Sequence, residues 1–465
     1  MLTISEGSRG ISRRNFLTIG GLGLGGLSLS SLFAAKAAAE GTINPLSGKS
    51  VIFLFQQGGP SQFETFDPKP EAPDGIRTVT GTVRTSLPGV LFGDKMQRLS
   101  RLAHKLAVVR SYQTNNGGHN IRPLVGNDSL EANIGSFFSR VAGPTRAGTG
   151  MPTNAVLFPQ AVDSEVTQGR ARGDISATGP LGTINAPFIP GGRGQLQQDM
   201  RLNLSQDQFA DRRALLGQLD SLNRQVENSR QMENLDQVHR QAYEVLLNGG
   251  VANALDLSQE DQATVDRYDT SGHARDDGWS RVQRGRRGYY TGHARTLGKL
   301  LLMARRLCEA GCGFVTVHAS YDGVWDMHAD RNNLNIEDGM QAVGPTFDHA
   351  VAAFIEDLEA RSLQDRILLV CSGEMGRTPR INRNGGRDHW SRLAPLLLFG
   401  GGIQGGQVIG RSNRDGGEPS GQNLTPSHLI STIMHTVFDV GQLRLTQGTP
   451  ETVRLSSADP IPGLF

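Results

Sequence analysis

Cysteine is scarce. The 465-residue chain has three, Cys308, Cys312 and Cys371. An odd, sparse set excludes a disulfide-framed scaffold, and a chain this long buries enough apolar surface to fold without staples. Gly311 and Gly313 break any helix that would align Cys308 with Cys312, so the thiols are expected to pack as small apolar groups. An excess of one charge sign is also missing: 47 Lys and Arg stand against 45 Asp and Glu, a net charge of +2. Nucleic-acid binders show a strongly basic face, and aromatics at 6% form no repeated stacking motif, so no nucleic-acid partner is expected. Long apolar runs are lacking too. The greasiest stretch, Leu17 to Leu32, is broken by Gly and Ser, which predicts no transmembrane span in the mature chain.

What the N-terminus does have is a targeting pattern. Ser12-Arg13-Arg14-Asn15-Phe16-Leu17 places two adjacent arginines ahead of an apolar stretch, and Ala35-Lys36-Ala37 and Ala37-Ala38-Ala39 both fit small-x-small cleavage. Residues 1–39 therefore read as a twin-arginine export signal, with an uncleaved N-terminal anchor as the alternative. That route carries folded proteins, often with a cofactor already loaded. It points to a periplasmic or cell-envelope protein.

Residues 40–465 read as one α/β domain. Ser50-Val51-Ile52-Phe53-Leu54-Phe55 is a continuous apolar run followed by Gln56-Gln57-Gly58-Gly59-Pro60, as expected of a buried parallel strand ending in a Gly-rich loop. Leu106–Val109, Phe314–Val317, Ile367–Val370 and Leu396–Phe399 read the same way. Helical spacing lies between them at about 92–105, 293–310 and 346–361. Strands alternating with amphipathic helices predict a doubly wound, mostly parallel sheet flanked by helices. Residues 203–268 are rich in Gln, Asp, Arg and Leu and read as a helical insertion, while about 142–200, rich in Gly and Pro, reads as long ordered loops beside the site.

Ligands bind open parallel sheets at the carboxyl ends of the strands, and polar clusters stand there. They are Gln57 to Asp67, Tyr112 to Asn120, Asp322 to His328, Ser372 to Pro379 and Gly385 to Trp390. Their acids and histidines are donors for a divalent metal such as zinc, manganese, iron or calcium, with no thiolate among them. Asp326 and His328, two apart, can share an ion from an extended segment. Of the adjacent Asp388 and His389, one can bind while the other supports it. Glu374 is either a ligand or a helix cap. Arg377 and Arg387 are candidates for clamping an anionic oxygen with paired N–H donors. Trp325 and Trp390 suit core packing as well as substrate stacking. His104, His239, His273, His293, His349, His428 and His435 fall on helices or away from strand ends and are expected to be packed or solvated.

The ordered set SRRNFL, QQGGPSQFETFDPKP, ARRLCEAGCGFVTV, WDMH, GEMGRTPRIN, GGRDHW and GGGIQGGQVIG resembles the exported bacterial DUF1501 family, related to the alkaline phosphatase and sulfatase superfamily. The resemblance covers nearly the whole mature chain and implies an alkaline-phosphatase-like fold with a dimetal site. It matches Asp326, His328 and His389 to superfamily ligands. It puts Gln57 where an Asp is expected, and Glu374 where an Asp-His pair is expected. No cysteine stands in a Cys-x-Pro-Ser-Arg motif, which argues against a formylglycine sulfatase. Thr114 is a candidate hydroxyl nucleophile, and His119 a candidate nucleophile, acid/base group or ligand.

Two functions are expected from this pattern. One is an exported metal-dependent hydrolase of phosphate or sulfate esters, acting on an anionic ester substrate or an extracytoplasmic polysaccharide. The other is a non-catalytic binding or envelope-assembly protein on the same fold, contacting partners through its helical insertion. Phosphomutase or transferase chemistry is a lesser alternative.

Overall fold

Strand β1, Ser50–Phe55, is buried on both sides, and its side chains divide by parity. Ile52 and Leu54 enter one apolar core, whereas Val51, Phe53 and Phe55 enter the other. That period of two is the geometry of a pleated strand with helices on both faces. The computed structural model describes residues 44–146, 148–167, 169–190, 250–274, 287–318 and 323–465. The export signal, Asp322 and residues 203–249 of the proposed insertion lie outside these residues.

Strands β1, β4 (Ala107–Val109), β5 (Asn154–Leu157), β6 (Phe314–His318), β7 (Ile367–Ser372), β10 (Leu396–Gly400) and β11 (Gln407–Ile409) form a seven-stranded sheet. Its order is β11-β4-β10-β7-β1-β6-β5. Two short ribbons stand apart from it, β2 (Thr82–Arg84) with β3 (Leu91–Gly93), and β8 (Gly376–Arg377) with β9 (His389–Trp390). The sheet is largely parallel, and its flanking helices make a mixed α/β fold. Helix α1 is Gln97–Leu102 and α2 is Ile134–Ala142; α3 (Gly250–Leu255) and α4 (Gln262–Arg267) follow the undescribed stretch. Helices α5 (Arg287–Glu309) and α6 (Ile336–Ala360) cover one face. Helix α2 and α7 (Pro426–Val437) cover the other. Among the described residues no helix is long and apolar enough to cross a membrane.

Two details depart from the sequence expectations. Leu396–Gly400 runs antiparallel to both of its neighbours, β4 and β7, rather than parallel. A parallel return needs a crossover, usually helical, and residues 373–395 contain none. The Gly- and Pro-rich stretch after residue 142 also contains β5, which closes the sheet edge against β6. The three cysteines are free and buried, as their packing role requires.

Candidate metal centre

The floor of the site is built by backbone approach at the end of β1. Every residue from Gln56 to Asp67 is buried. Gly58 has φ +118°, and a Cβ there would lie 2.9 Å from the Asp326 nitrogen and 3.0 Å from that of Trp325. Only glycine lets the 325–326 backbone settle on this turn. Glu374, wholly buried after β7, accepts the Gly58 N–H at 2.9 Å through Oε1 and 3.1 Å through Oε2. Arg377, also wholly buried, ties the floor together. It donates to the carbonyls of Gly59 (2.7 Å), Gly58, Trp325 (3.2 Å) and Arg387 (3.1 Å), and to Asp326 Oδ1 at 2.8 Å.

Above this floor three imidazoles converge on one carboxylate. His119 Nε2 lies 2.9 Å from Asp326 Oδ2, while His328 Nε2 and His389 Nε2 lie 2.6 and 3.3 Å from Oδ1. The last two nitrogens are 2.8 Å apart. Each ring is held by its other nitrogen: His119 Nδ1 meets Glu374 Oε1 at 3.0 Å, His328 Nδ1 meets Asp388 Oδ1 at 3.3 Å, and His389 Nδ1 meets the Gly117 carbonyl at 2.9 Å. With a metal bound, an acceptor behind every Nδ1 would keep the neutral ring's proton there and turn the Nε2 lone pair inward. Four donors about 2.0–2.2 Å from a zinc-sized ion stand roughly 3.3–3.6 Å apart in a tetrahedron, and one ligand atom from each of His119, Asp326, His328 and His389 lies within 4.8 Å of the others. The residues therefore form a group that can hold a metal ion.

Electrostatics agree. Burial alone would raise the pKa of Asp326, but hydrogen bonds from the three histidines and the charge of Arg377 hold it far below the usual carboxylate range. Burial alone would lower the pKa of His119, yet its hydrogen bonds to Asp326 and Glu374, with their charges, push it up to about 9. The pocket stabilises positive charge, as a cation site must.

The structure sorts the residues expected from sequence. Asp326, His328, His389 and His119 come together. Glu374 and Asp388 do not join their ring; they sit behind His119 and His328, and Asp388 is 59% exposed. Arg377 and Arg387, expected as substrate clamps, are both fully buried with donors directed at protein acceptors. Arg387 pairs with Glu64 at 3.1 Å, also donates to the Thr378, Pro379, Ile76 and Arg77 carbonyls, and lies over the Phe63 ring. A guanidinium saturated this way braces the loops around it. Thr114, a candidate hydroxyl nucleophile alongside His119, is buried with its hydroxyl 3.4 Å from the Asn116 carbonyl. Gln57 is wholly buried; its Oε1 accepts the Arg172 N–H at 3.1 Å and lies 2.7 Å from His318 Nε2. Sequence reasoning missed Asn333, whose Nδ2 is 3.3 Å from Asp326 Oδ2; Asn116, inside the Tyr112–Asn120 cluster, has its Nδ2 3.2 Å from the Glu374 carbonyl.

Residues 48–459 match the family model described as protein of unknown function, DUF1501. No curated protein matches the chain. Among solved structures, the PsFucS1 sulfatase from Pseudoalteromonas sp. aligns at 10% identity over 88% of this chain and 71% of its own, with a TM-score of 0.35. Alkaline phosphatase from the Antarctic bacterium TAB5 aligns at 12% identity over 77% and 92%, with a TM-score of 0.25.

Proposed function

The chain belongs to the DUF1501 family, and from the centre it carries we propose that it is an exported, metal-dependent hydrolase of phosphate or sulfate esters. The observation that carries this reading is the convergence of three Nε2 atoms on Asp326, each ring anchored through Nδ1. A bound divalent ion supplies Lewis acidity toward a phosphoryl or sulfuryl oxygen. Three neutral imidazoles and one carboxylate leave such an ion with net positive charge, which favours an anionic ester over a neutral one. Arg377 keeps Asp326 ionised and aimed. Glu374, Asp388 and Gly117 fix the ring orientations, so the donors need no reorganisation.

The floor is closed while the rim is open. Asp326, Glu374 and Arg377 are nearly inaccessible, whereas the His119, His328 and His389 side chains are 13%, 20% and 25% exposed. An ester thus reaches the centre from the histidine side. The Ser12-Arg13-Arg14 pattern supports export.

The test is hydrolysis of phosphate and sulfate monoesters by protein purified without chelator. Activity lost on chelation and in His328→Ala supports the reading. A metal-loaded, folded protein inert toward both ester classes favours the binding-protein alternative, to which the neutral Gln57 at the end of β1 lends support. Export is tested by Arg13→Lys with Arg14→Lys, which should trap precursor in the cytoplasm.

A further inference from the structure

The donor groups around the centre are already divided among protein partners, and that division limits what the site can bind. We infer that the centre is mononuclear and selects a borderline transition-metal ion of the zinc class over calcium and magnesium. This rests on the metal reading of the site and not on the ester chemistry.

A second ion would need its own set of ligands, and the nearby candidates are committed elsewhere. Glu374 has both oxygens on the Gly58 N–H and one on His119 Nδ1, with no exposed surface. Gln57 replaces a charged donor with a neutral amide whose oxygen is held by the Arg172 N–H and by His318. Asp388 lies on the outer side of His328. Asp326 spends Oδ1 on His328, His389 and Arg377, and Oδ2 on His119 and Asn333. Among the described residues, His119, Asp326, His328 and His389 are the one group of three or more such side chains close enough to share an ion.

Ion class follows from the same inventory. Calcium takes six to eight oxygen ligands, and magnesium near-octahedral oxygen. Here three of four donors are imidazole nitrogens, which suit zinc, iron, cobalt, nickel and copper. The buried oxygens that a calcium ion would recruit, those of Glu374 and Gln57, are held by N–H groups.

The experiment is native mass spectrometry and thermal unfolding of the chelator-stripped exported protein, titrated separately with Zn²⁺, Mn²⁺, Ca²⁺ and Mg²⁺. One Zn²⁺ per chain is expected, with a raised Tm. Millimolar Ca²⁺ or Mg²⁺ should leave mass and Tm unchanged. Co²⁺ should give visible d–d bands that Zn²⁺ abolishes. His328→Ala with His389→Ala should lose the ion, whereas Gln57→Ala, with its fold checked by circular dichroism, should keep one. Two ions per folded chain, tighter binding of Ca²⁺ or Mg²⁺ than Zn²⁺, or loss of the ion in Gln57→Ala would overturn the inference. Binding of no ion would overturn it together with the metal reading, while one bound Zn²⁺ without ester hydrolysis would defeat only the hydrolase.

Discussion

The Nε2 atoms of His328 and His389 face each other at 2.8 Å. Two inward lone pairs at that distance repel unless a proton or a cation lies between them, and Asp326 Oδ1 closes the triangle at 2.6 and 3.3 Å. The fixed Nδ1 contacts keep either ring from turning away. A proton shared between the two rings satisfies this contact in the metal-free site, and a cation bound by the same two nitrogens would take its place.

Glu374→Gln tests the support behind His119. The amide can still accept the Gly58 N–H, so the fold should survive, but the charge on Nδ1 is removed. Loss of such a supporting carboxylate weakens metal binding by about 10–100-fold. Calorimetric titration of stripped protein with Zn²⁺ should show that drop with unchanged stoichiometry.

Arg387→Met should damage the fold rather than substrate affinity. Arg387 and Glu64 are both wholly inaccessible, and removing one partner of a buried pair leaves an uncompensated charge that costs about 3–5 kcal/mol. Denaturant unfolding should show a loss of this size. A variant of wild-type stability with a raised KM would support the clamp assignment instead.

Gly58→Ala should disturb both. The new methyl meets the Trp325 and Asp326 backbone nitrogens at 3.0 and 2.9 Å from a φ of +118°, and strained backbone of this kind costs about 1–3 kcal/mol. A lower Tm and weaker Zn²⁺ binding should appear together, because the displaced segment carries Asp326.

Asp348 gives a pH signature away from the centre. It accepts the N–H groups of Arg98 and Leu99, each at 2.8 Å, yet burial outweighs these bonds and raises its pKa to about 6. The unfolded value is about 3.9, so the native state holds more protons between the two. The stabilising contribution is complete below the unfolded value and lost as pH rises through about 6, at most about 1.4 kcal/mol per pH unit. Stability curves for wild type and Asp348→Asn should converge or diverge with that slope between pH 4 and 6 and run parallel above pH 7.

The legible parts of the fold were those written in hydrophobic runs. Ser50–Phe55, Phe314–His318 and Ile367–Ser372 are buried on both faces and read as such. Strand β5 was hidden because Asn154–Leu157 is four residues long inside Gly- and Pro-rich sequence. The direction of β10 was obscured because an apolar run carries no polarity; the missing crossover helix was the clue. At the site, residue types pointed to Asp326, His328 and His389. They could not separate ligands from supports, since Glu374 behind a ring and Asp326 before it are equally acidic. Nor could they reveal that Arg377 and Arg387 are enclosed, because burial of a guanidinium depends on carbonyls contributed by Gly58, Gly59, Ile76 and Arg77.

The reversed β10 also sets the order in which the site can come into being. Because that strand starts where β7 ends, Glu374, Arg377, Arg387 and His389 arrive on one excursion that closes locally as an antiparallel pair. His119 must join them across 255 residues from Glu374 and 207 from Asp326. Contacts of such separation form late in folding. A nascent chain therefore carries no complete cation site until residue 389 has left the ribosome and the sheet has closed. The four side chains that could hold an ion are thus brought together only in the finished fold.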